Sequence, residues 1–279
     1  MDVDIAIIQE TKLTGCIYTR FSSGYTVVAT DAPSAHQGGI ALCVRENDIF
    51  EVEETKIWHP NVLSFELVTG VDRYFVVGCY IPPDDLVPLD HIKTAWKECP
   101  KGCKPLLVGD MNIDLEYPRD ERDEKVAEQC DFWNLTDMSR QFSQRRRRKT
   151  RGRWTWRQQR LGRWVQSHPD YFLAKEGSRR IFRNVALRRP RHHDTDHRAV
   201  VATLFGGSVR TTKAYRRRRQ RFPIQLPPTG PRTEMESIFE ELKHFVEKPP
   251  ERKRPANNWI SDGIWALIDH RARSESRAT

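Results

Sequence analysis

The sequence predicts an α/β (α+β) fold in which two packed, mixed β-sheets are flanked by helices. Short apolar runs recur up to about residue 205, and they are rich in Val, Ile, Phe and Tyr and bounded by Gly, Pro, Asp or Asn, as strands are. The run VLSFELV alternates, so that Leu63, Phe65 and Leu67 share one face of a strand. Many strand-like runs with few long helical segments favour packed sheets over a repeating β–α order.

Two segments between the runs have helical spacing. They are residues 89–99 and residues 123–135. In the first, Ile92 and Trp96 lie about one turn apart, and the second carries a similar apolar stripe that includes Val126. We therefore predict one helix in each segment, on the outside of the sheets.

The composition changes after the Gly206–Gly207 pair. We predict a globular domain over residues 1–206, a basic and proline-rich linker over 207–232, and a partly helical tail over 233–279. The tail begins with a capping-box pattern, Thr233 followed three residues later by Glu236.

The chain is strongly basic. Its 279 residues carry a formal charge of +9 and give a pI near 9.4. Such a balance favours a polyanionic partner, either nucleic acid or an anionic membrane face. A basic protein without a polyanionic partner is the alternative reading of the charge alone.

One segment concentrates this charge. Residues 145–164 contain ten Lys or Arg and no acid, so a salt-bridged helix face is excluded. These residues are Arg145, Arg146, Arg147, Arg148, Lys149, Arg151, Arg153, Arg157, Arg160 and Arg163. We interpret the segment as an arm that contacts DNA phosphates, and a nuclear-localisation signal is the alternative for RRRRK. Trp154, Trp156 and Trp164 would either stack on bases or, for at least one of them, belong to the core.

The compartment is predicted to be intracellular. No apolar run approaches the roughly 20 residues that span a bilayer, and the acidic N-terminus does not resemble a secretory signal. The six cysteines are scattered without the pattern of a disulfide framework or a zinc site, so we interpret them as reduced thiols.

Polar side chains stand at the ends of several separate apolar runs. They are Glu10, Asp110, Asn112, Asp170, Asp196 and His197. Asp110 and Asn112, two residues apart, would lie on the same side if the extended geometry continues. If these ends meet at one edge, they form an oxygen-rich site with one imidazole, which suits Mg²⁺ or Mn²⁺ better than zinc. Each residue alone is more often a turn residue or a cap, so the arrangement carries the prediction.

A site of this kind suits phosphate-ester hydrolysis. The metal ion would neutralise phosphate oxygens and the charge on the leaving oxygen, and a His paired with a carboxylate would take a proton from water. The predicted cofactor is therefore Mg²⁺, with Mn²⁺ as a substitute.

The order of five motifs resembles the endonuclease/exonuclease/phosphatase superfamily. The motifs are IAIIQETKL, VVGCYIPP, LLVGDMNID, SHPDYFLA and TDHRAVVA. The resemblance that they carry extends over roughly residues 4–205. Within the superfamily they look most like the endonuclease of non-LTR (LINE-type) retrotransposons, which is similar to apurinic-site endonucleases. The resemblance implies a four-layer sandwich like that of the apurinic endonucleases.

The resemblance also implies roles for the motif residues in metal and phosphate binding. Glu10 would be the principal metal ligand, and Tyr80 would donate a hydrogen bond to the scissile phosphate. Asp110 would handle the nucleophilic water or the leaving-group proton, and Asn112 would orient phosphate or water. Tyr80 read without this context is an ordinary aromatic residue at a strand end.

The remaining motifs concern the histidine and the DNA backbone. Asp170 would pair with His197, which polarises water or binds phosphate. Asp196 would support the metal region, and Thr195 stands where the family usually has Ser. Thr155 matches a Thr–Trp motif that contacts the DNA backbone in the family.

The sequence departs from the family at its start. The family fold opens with a strand that bears an Asn or Asp supporting the metal, upstream of the Glu10 motif. Three residues precede Asp4 here. We therefore expect this strand and its ligand to be missing, and we expect lower stability and weaker metal binding than in a relative that has them.

The resemblance predicts a Mg²⁺-dependent endonuclease that nicks double-stranded DNA and leaves a 3′-hydroxyl. It would act in the nucleus as the target-nicking module of a non-LTR retrotransposon, in which a reverse transcriptase is normally fused downstream, and it would have no membrane partner. Three alternatives stay open at this stage. They are an apurinic-site repair endonuclease, a phosphoinositide or sphingomyelin phosphodiesterase, and a truncated nucleic-acid-binding remnant without catalysis.

Overall fold

The computed structural model describes residues 3–21, 24–45, 49–70, 72–144, 154–189 and 195–205. The predicted linker and tail lie outside these residues. So do seven of the ten basic residues in the segment singled out above, namely Arg145, Arg146, Arg147, Arg148, Lys149, Arg151 and Arg153.

The described residues form strands with a few helices between them. The elements in chain order are β1 (Ile5–Gln9), β2 (Ile17–Arg20), β3 (Tyr25–Ala29), β4 (Ile40–Arg45), β5 (Phe50–His59), β6 (Val62–Thr69), β7 (Arg73–Tyr80), α1 (Val87–Lys97), β8 (Lys104–Asp110), α2 (Glu121–Phe132), β9 (Leu135–Asp137), α3 (Met138–Gln144), β10 (Trp156–Arg160), β11 (Arg163–Ser167), β12 (Asp170–Lys175), a 3-10 turn (Ser178–Ile181), β13 (Phe182–Arg188) and β14 (Ala199–Leu204).

Two layers of sheet enclose the main core. A six-stranded sheet has the order β5-β6-β7-β8-β12-β9, and all of its pairs are antiparallel except the parallel pair β7–β8. The other layer consists of an antiparallel sheet, β1-β4-β3-β2, and the pair β13–β14. Leu42, Phe65, Val76 and Val185 from both layers share one buried cluster. The predicted α/β fold of packed sheets is therefore confirmed.

The two predicted helices are confirmed with shifted ends. Helix α1 packs on β5, β6 and β7, and Ile92 and Val126 join one buried cluster with the outer face of the six-stranded sheet. Helix α1 begins at Val87 because the Asp85 carboxylate accepts the Val87 N–H and because proline is tolerated in the first turn. Helix α2 begins after Asp120, whose carboxylate accepts the Asp123 N–H at 2.9 Å. No helix within the described ranges is long and apolar enough to cross a membrane.

Strand β6 shows why alternation in sequence does not always mean alternation in burial. Leu63, Phe65 and Leu67 lie in the core between the sheets, as predicted. The polar residues between them are also buried, because the helices cover the other face of the sheet. Ser64 accepts a hydrogen bond from the Trp58 indole at 2.8 Å, and Glu66 pairs with Arg73.

Several elements did not stand out in the sequence. Strand β5, FEVEETKIWH, is an edge strand of the large sheet and is mostly half-buried, so it needs no apolar run. Helix α3 has seven residues, too few to show a periodic apolar stripe, and it is held by contacts with β12 and β13.

Strand β1 lies across the parallel pair that leads to the site. It pairs with β4 at the edge of the four-stranded sheet of the described residues, and its residues are half-buried. It contacts β7 and β8, and the residue that follows it, Glu10, accepts a hydrogen bond from Tyr80 at the end of β7. The expected lack of an upstream strand stays a prediction.

Gly109 allows β7 and β8 to approach each other just before the site. Its φ is +150°, and an added Cβ would overlap the carbonyl oxygen of Cys79 on the neighbouring strand. We expect Gly109→Ala to lower the free energy of unfolding by about 3 kcal/mol or more, because steric overlap adds to the positive φ. Urea denaturation measures this loss. Gly102→Ala is the control, since φ there is +90° but a Cβ meets nothing within 4 Å; equal losses in the two variants would contradict the steric argument.

Candidate active site

Three adjacent strands bring three of the predicted residues to one edge of the large sheet. Because β7 and β8 are parallel, their carboxyl ends lie together, and Tyr80 is the register partner of Asp110. Strand β12 runs antiparallel to β8 and begins at this edge, so that Asp170 is the other partner of Asp110. Their order along the edge is thus Tyr80, Asp110, Asp170, which follows directly from the pairing of the strands.

His197 completes this row from the second layer. Its Nδ1 lies 2.9 Å from Oδ2 of Asp170. Ligand atoms of Asp110, Asp170 and His197 all lie within 4.8 Å of one another. The short segment before β14 is fixed by hydrogen bonds, since His197 N–H donates to Thr195 Oγ1 at 3.1 Å and Arg198 N–H donates to the carbonyl of Thr155.

Glu10 reaches the same edge from the end of β1. The Tyr80 hydroxyl donates a hydrogen bond to Glu10 Oε1, and Lys12 Nζ lies 3.4 Å from Glu10 Oε2. The φ of Glu10 is +51°, an uncommon value for a residue other than glycine, so the backbone leaves the extended geometry of β1 at this residue. Burial, together with the hydrogen bond to Glu10, raises the pKa of Tyr80 well above its usual range, so its hydroxyl stays a proton donor.

Asn112 comes to the site by a turn and not by continued strand geometry. Strand β8 ends at Asp110, and Asn112 has φ +53°. The Asn112 N–H donates to Asp110 Oδ1 at 2.9 Å, while its Nδ2 donates to the carbonyl of Ile81 at 3.0 Å. The extended geometry on which the same-side alignment of Asp110 and Asn112 depended does not continue, because the backbone turns after Asp110.

The site has an unusual charge balance. Burial, with a further contribution from the nearby Asp170 carboxylate, raises the pKa of Asp110 to about 7. Burial alone would lower the pKa of His197, but the hydrogen bond that its ring N–H donates to the Asp170 carboxylate, together with the negative charge of Asp170, outweighs burial and raises this pKa to about 9. His197 is therefore an imidazolium at neutral pH, and Asp110 titrates near neutrality.

The donor set fits a hard divalent cation. The Glu10 carboxylate reaches this edge through its hydrogen bond with Tyr80, Asp110 lies there with Asp170 and His197, and no thiol joins the described cluster. Burial and the nearby carboxylates of Asp170 and Glu10 raise the pKa of Asp110, and a cation bound at this edge would favour the charged form of its carboxylate. Glu10 is the residue that would hold the ion, with the Asp110 carboxylate at the same edge.

Two predicted residues lie elsewhere than their predicted roles suggest. Asp196 has an exposed side chain, and its Oδ2 accepts a hydrogen bond from the Trp156 indole at 2.8 Å, outside the group formed by Asp110 and its neighbours. Thr155 is fully buried, and its hydroxyl accepts the Asp170 N–H at 3.1 Å. Metal support by Asp196 stays a prediction, and so does the contact of Thr155 with DNA, which its burial does not favour.

A hairpin of β10 and β11 projects beside His197. Trp156 is the bridge partner of His197, so the hairpin begins at the site. Its far end exposes Leu161 and Trp164, and it carries Arg157, Arg160 and Arg163. The Arg157 guanidinium lies 4.0 Å from the centre of the Trp164 ring. Trp154, in contrast, is buried, so the prediction that at least one of the three tryptophans belongs to the core is confirmed.

Other residues support the site without having stood out in the sequence. Asn61, in the turn between β5 and β6, accepts the Gly39 N–H through Oδ1 at 2.8 Å and the Tyr80 N–H through its carbonyl at 2.9 Å. Arg119 and Arg122 reach carbonyl oxygens of the loops after Tyr80 and Asp110. No motif marks these residues, because their partners lie far away in the sequence.

The arrangement of the sheets is a fold shared with two AP endonucleases of known structure. An AP endonuclease from Archaeoglobus fulgidus is similar at 17% identity over 72% of this chain and 88% of that chain, with a TM-score of 0.51. The AP endonuclease LMAP from Leishmania major is similar at 13% identity over 70% of this chain and 76% of that chain, with a TM-score of 0.53.

A further structural similarity concerns a retrotransposon protein. The endonuclease domain of TRAS1, a telomere-specific non-LTR retrotransposon, shares 19% identity over 65% of this chain and 80% of that chain, with a TM-score of 0.49. The fold assignment rests on the two AP endonucleases. Neither a protein-family model nor a curated protein matches the chain.

Proposed function

We propose that the protein is a divalent-metal-dependent endonuclease that hydrolyses one phosphodiester of double-stranded DNA and leaves a 3′-hydroxyl. The observation that carries this proposal is the His197–Asp170 pair, which faces the buried Asp110 at the edge that also holds Tyr80 and Glu10. Phosphodiester hydrolysis needs a base for water, positive charge for the phosphate and a donor for a phosphate oxygen. In this site Asp110 corresponds to the base, His197 to the positive charge and Tyr80 to the hydrogen-bond donor.

The charge states suggest how the chain's own residues divide the work. Asp110 lies beside the His197–Asp170 pair at the edge of the sheet, and we assign it to accept the proton of the attacking water. His197, held as an imidazolium by Asp170, donates from its free ring nitrogen to a phosphate oxygen. The Tyr80 hydroxyl donates to a second phosphate oxygen once substrate replaces Glu10 as its acceptor. When bound, a Mg²⁺ or Mn²⁺ ion would supply Lewis-acid stabilisation of the negative charge on the phosphate and the leaving oxygen.

The hairpin and the basic segment support DNA as the partner. Arg157, Arg160 and Arg163 stand on an exposed two-stranded ribbon that begins at the site, and Trp164 offers an exposed aromatic face. The seven basic residues from Arg145 to Arg153 precede this hairpin in the chain. We assign both to phosphate contacts, and we propose the nucleus as the site of action.

The retrotransposon role rests on the sequence motifs. The five ordered motifs and the tail NNWISDGIWALIDHRA look like a nicking module that leads toward a reverse transcriptase. In that role, the 3′-hydroxyl would prime reverse transcription of the element.

An apurinic-site repair endonuclease is the second candidate. The two AP endonucleases with TM-scores above 0.5 favour it, since they share the fold of the described residues. The density of arginine in residues 145–153 argues against it, because recognition of one abasic nucleotide does not need such a run.

A nicking assay distinguishes these candidates. We expect the full chain to convert supercoiled plasmid to the open circle with Mg²⁺ or Mn²⁺ and not with EDTA, and we expect DNA polymerase to extend the nicked ends. Cleavage confined to a duplex with a single abasic site would support the repair enzyme. Retention of DNA without nicking under any metal condition would instead support a non-catalytic remnant.

A further inference from the structure

Two arginines at the start of helix α2 bind backbone carbonyls of the loops that carry Tyr80 and Asn112. The Nη2 atom of Arg122 lies 2.7 Å from the carbonyl oxygen of Pro82, and 3.4 Å from those of Ile81 and Met111. The Nη2 atom of Arg119 lies 3.1 Å from the carbonyl oxygen of Asn112. Arg119, just before helix α2, and Arg122, in its first turn, therefore contact the two residues that follow Tyr80 and the two that follow Asp110.

A buried carboxylate holds both guanidinium groups in place. Asp123 is fully buried, and its two oxygens accept from Arg119 Nε at 2.9 Å and from Arg122 Nη1 at 3.0 Å. Burial alone would raise the pKa of Asp123, but the hydrogen bonds from Arg119 and Arg122 keep it below its usual value. We call Arg119, Arg122 and Asp123 the clamp. The Asp123 N–H donates to the Asp120 carboxylate that caps the helix, so the clamp is fixed to a rigid element.

The clamped backbone is the part of the site that needs support. Asn112 has φ +53°, which is unfavourable for a residue with a Cβ, and this turn sets both its amide and its N–H toward Ile81 and Asp110. The carbonyl of Ile81 accepts from Asn112 Nδ2 and from Arg122 together. Neutral peptide carbonyls that face a guanidinium are strongly bound, so the clamp offsets the strain of the turn.

We propose that Arg122, oriented by Asp123, is a positioning residue for hydrolysis that fixes Asn112 and the end of strand β7 in their reactive arrangement. Arg122 touches neither Glu10 nor the His197–Asp170 pair among the contacts described. It acts through the loops, and the inference rests on the proposed nuclease function.

Steady-state nicking kinetics test this role. We expect Arg122→Met to lower kcat about 10- to 100-fold, because small displacements of aligned groups cost this much, while KM for DNA changes little. Arg122→Lys keeps one charged donor and should recover part of kcat. Lys125→Met, which removes a neighbouring exposed cation of the same helix paired with Glu121, should leave both parameters unchanged.

A second control separates positioning from loss of stability. Val126 is buried on the same helix, in the cluster with the large sheet, and its apolar side chain has no donor for these carbonyls. Val126→Ala should lower the melting temperature without lowering kcat at a temperature well below melting. A kcat for Arg122→Met within about threefold of wild type overturns the proposal, and so does an equal loss of kcat in Val126→Ala.

A measurement that does not depend on activity distinguishes failure of the positioning role of Arg122 from failure of the nuclease proposal. In protein labelled with ¹⁵N-asparagine, the side-chain amide signal of Asn112 should shift and lose exchange protection in Arg122→Met but not in Val126→Ala. If the wild type does not nick DNA, the nuclease proposal fails, while this signal still decides whether the clamp orders Asn112. An unchanged Asn112 signal overturns the positioning role.

Discussion

His197→Ala is expected to reduce plasmid nicking by about 10²- to 10⁴-fold, the usual contribution of one acid–base or phosphate-binding group. The imidazole is paired with Asp170 at 2.9 Å and faces Asp110, so its removal takes the positive charge from the phosphate side of the site. Single-turnover nicking at saturating enzyme measures the effect without product release.

The pH dependence of stability gives an independent check on the His197–Asp170 pair. The folded pKa of His197 is raised from 6.5 to about 9, so its contribution to stability is complete below about pH 6.5 and is lost as the pH rises through 9. His197→Ala should therefore destabilise the protein more at pH 6 than at pH 10. His91→Ala, on helix α1, is the matched control for both the stability and the nicking measurements. If nicking falls equally in the His91 and His197 variants, the assigned site is rejected.

Asp110→Asn is expected to stabilise the metal-free protein at pH 8 by on the order of 2 kcal/mol, although it abolishes nicking. Burial and the charge of Asp170 raise the folded pKa of Asp110 from 3.8 to about 7. The folded state then binds more protons than the unfolded state between these values, so the wild type loses stability as the pH rises from about 4 to 7 and no further above that. Asparagine removes the charge and keeps an oxygen that accepts the Asn112 N–H.

Urea denaturation in EDTA at pH 4 and pH 8 measures this effect. The two proteins should differ little at pH 4 and clearly at pH 8, and Mg²⁺ should then stabilise the wild type more than Asp110→Asn. Asp84→Asn removes an exposed carboxylate outside the described cluster and controls for net charge. If Asp110→Asn is less stable than the wild type at pH 8 in EDTA, the buried charge of Asp110 does not destabilise the folded protein.

The sequence predicted the site better where motifs coincide with strand ends than where turns decide the geometry. Asp110 and Asp170 follow or begin apolar runs, so pairing of those runs was enough to bring them together. The position of Asn112 depends on a backbone turn that no periodicity reveals. Thr155 and Asp196 carry the right residue types, but buried hydrogen bonding and the Trp156 indole decide what their side chains contact.

The same division holds for the fold. Apolar runs predicted β6, β7, β8 and β12 because these strands are buried on both faces, whereas the edge strand β5 and the short helix α3 left no such signal. Glu66 and Asp123 look like surface residues in the sequence, yet they are buried because arginines neutralise them.

The sequence by itself determined the set of chemical groups, their order along the chain and the sheet-forming segments, because residue type and local apolar pattern are properties of the chain alone. The tertiary structure decided which groups meet, the charge states of Asp110 and His197, and the clamp formed by Arg122. Those features depend on burial and on pairs that are distant in sequence, such as Asp170 with His197, and burial and distance exist only once the two layers of sheet have packed.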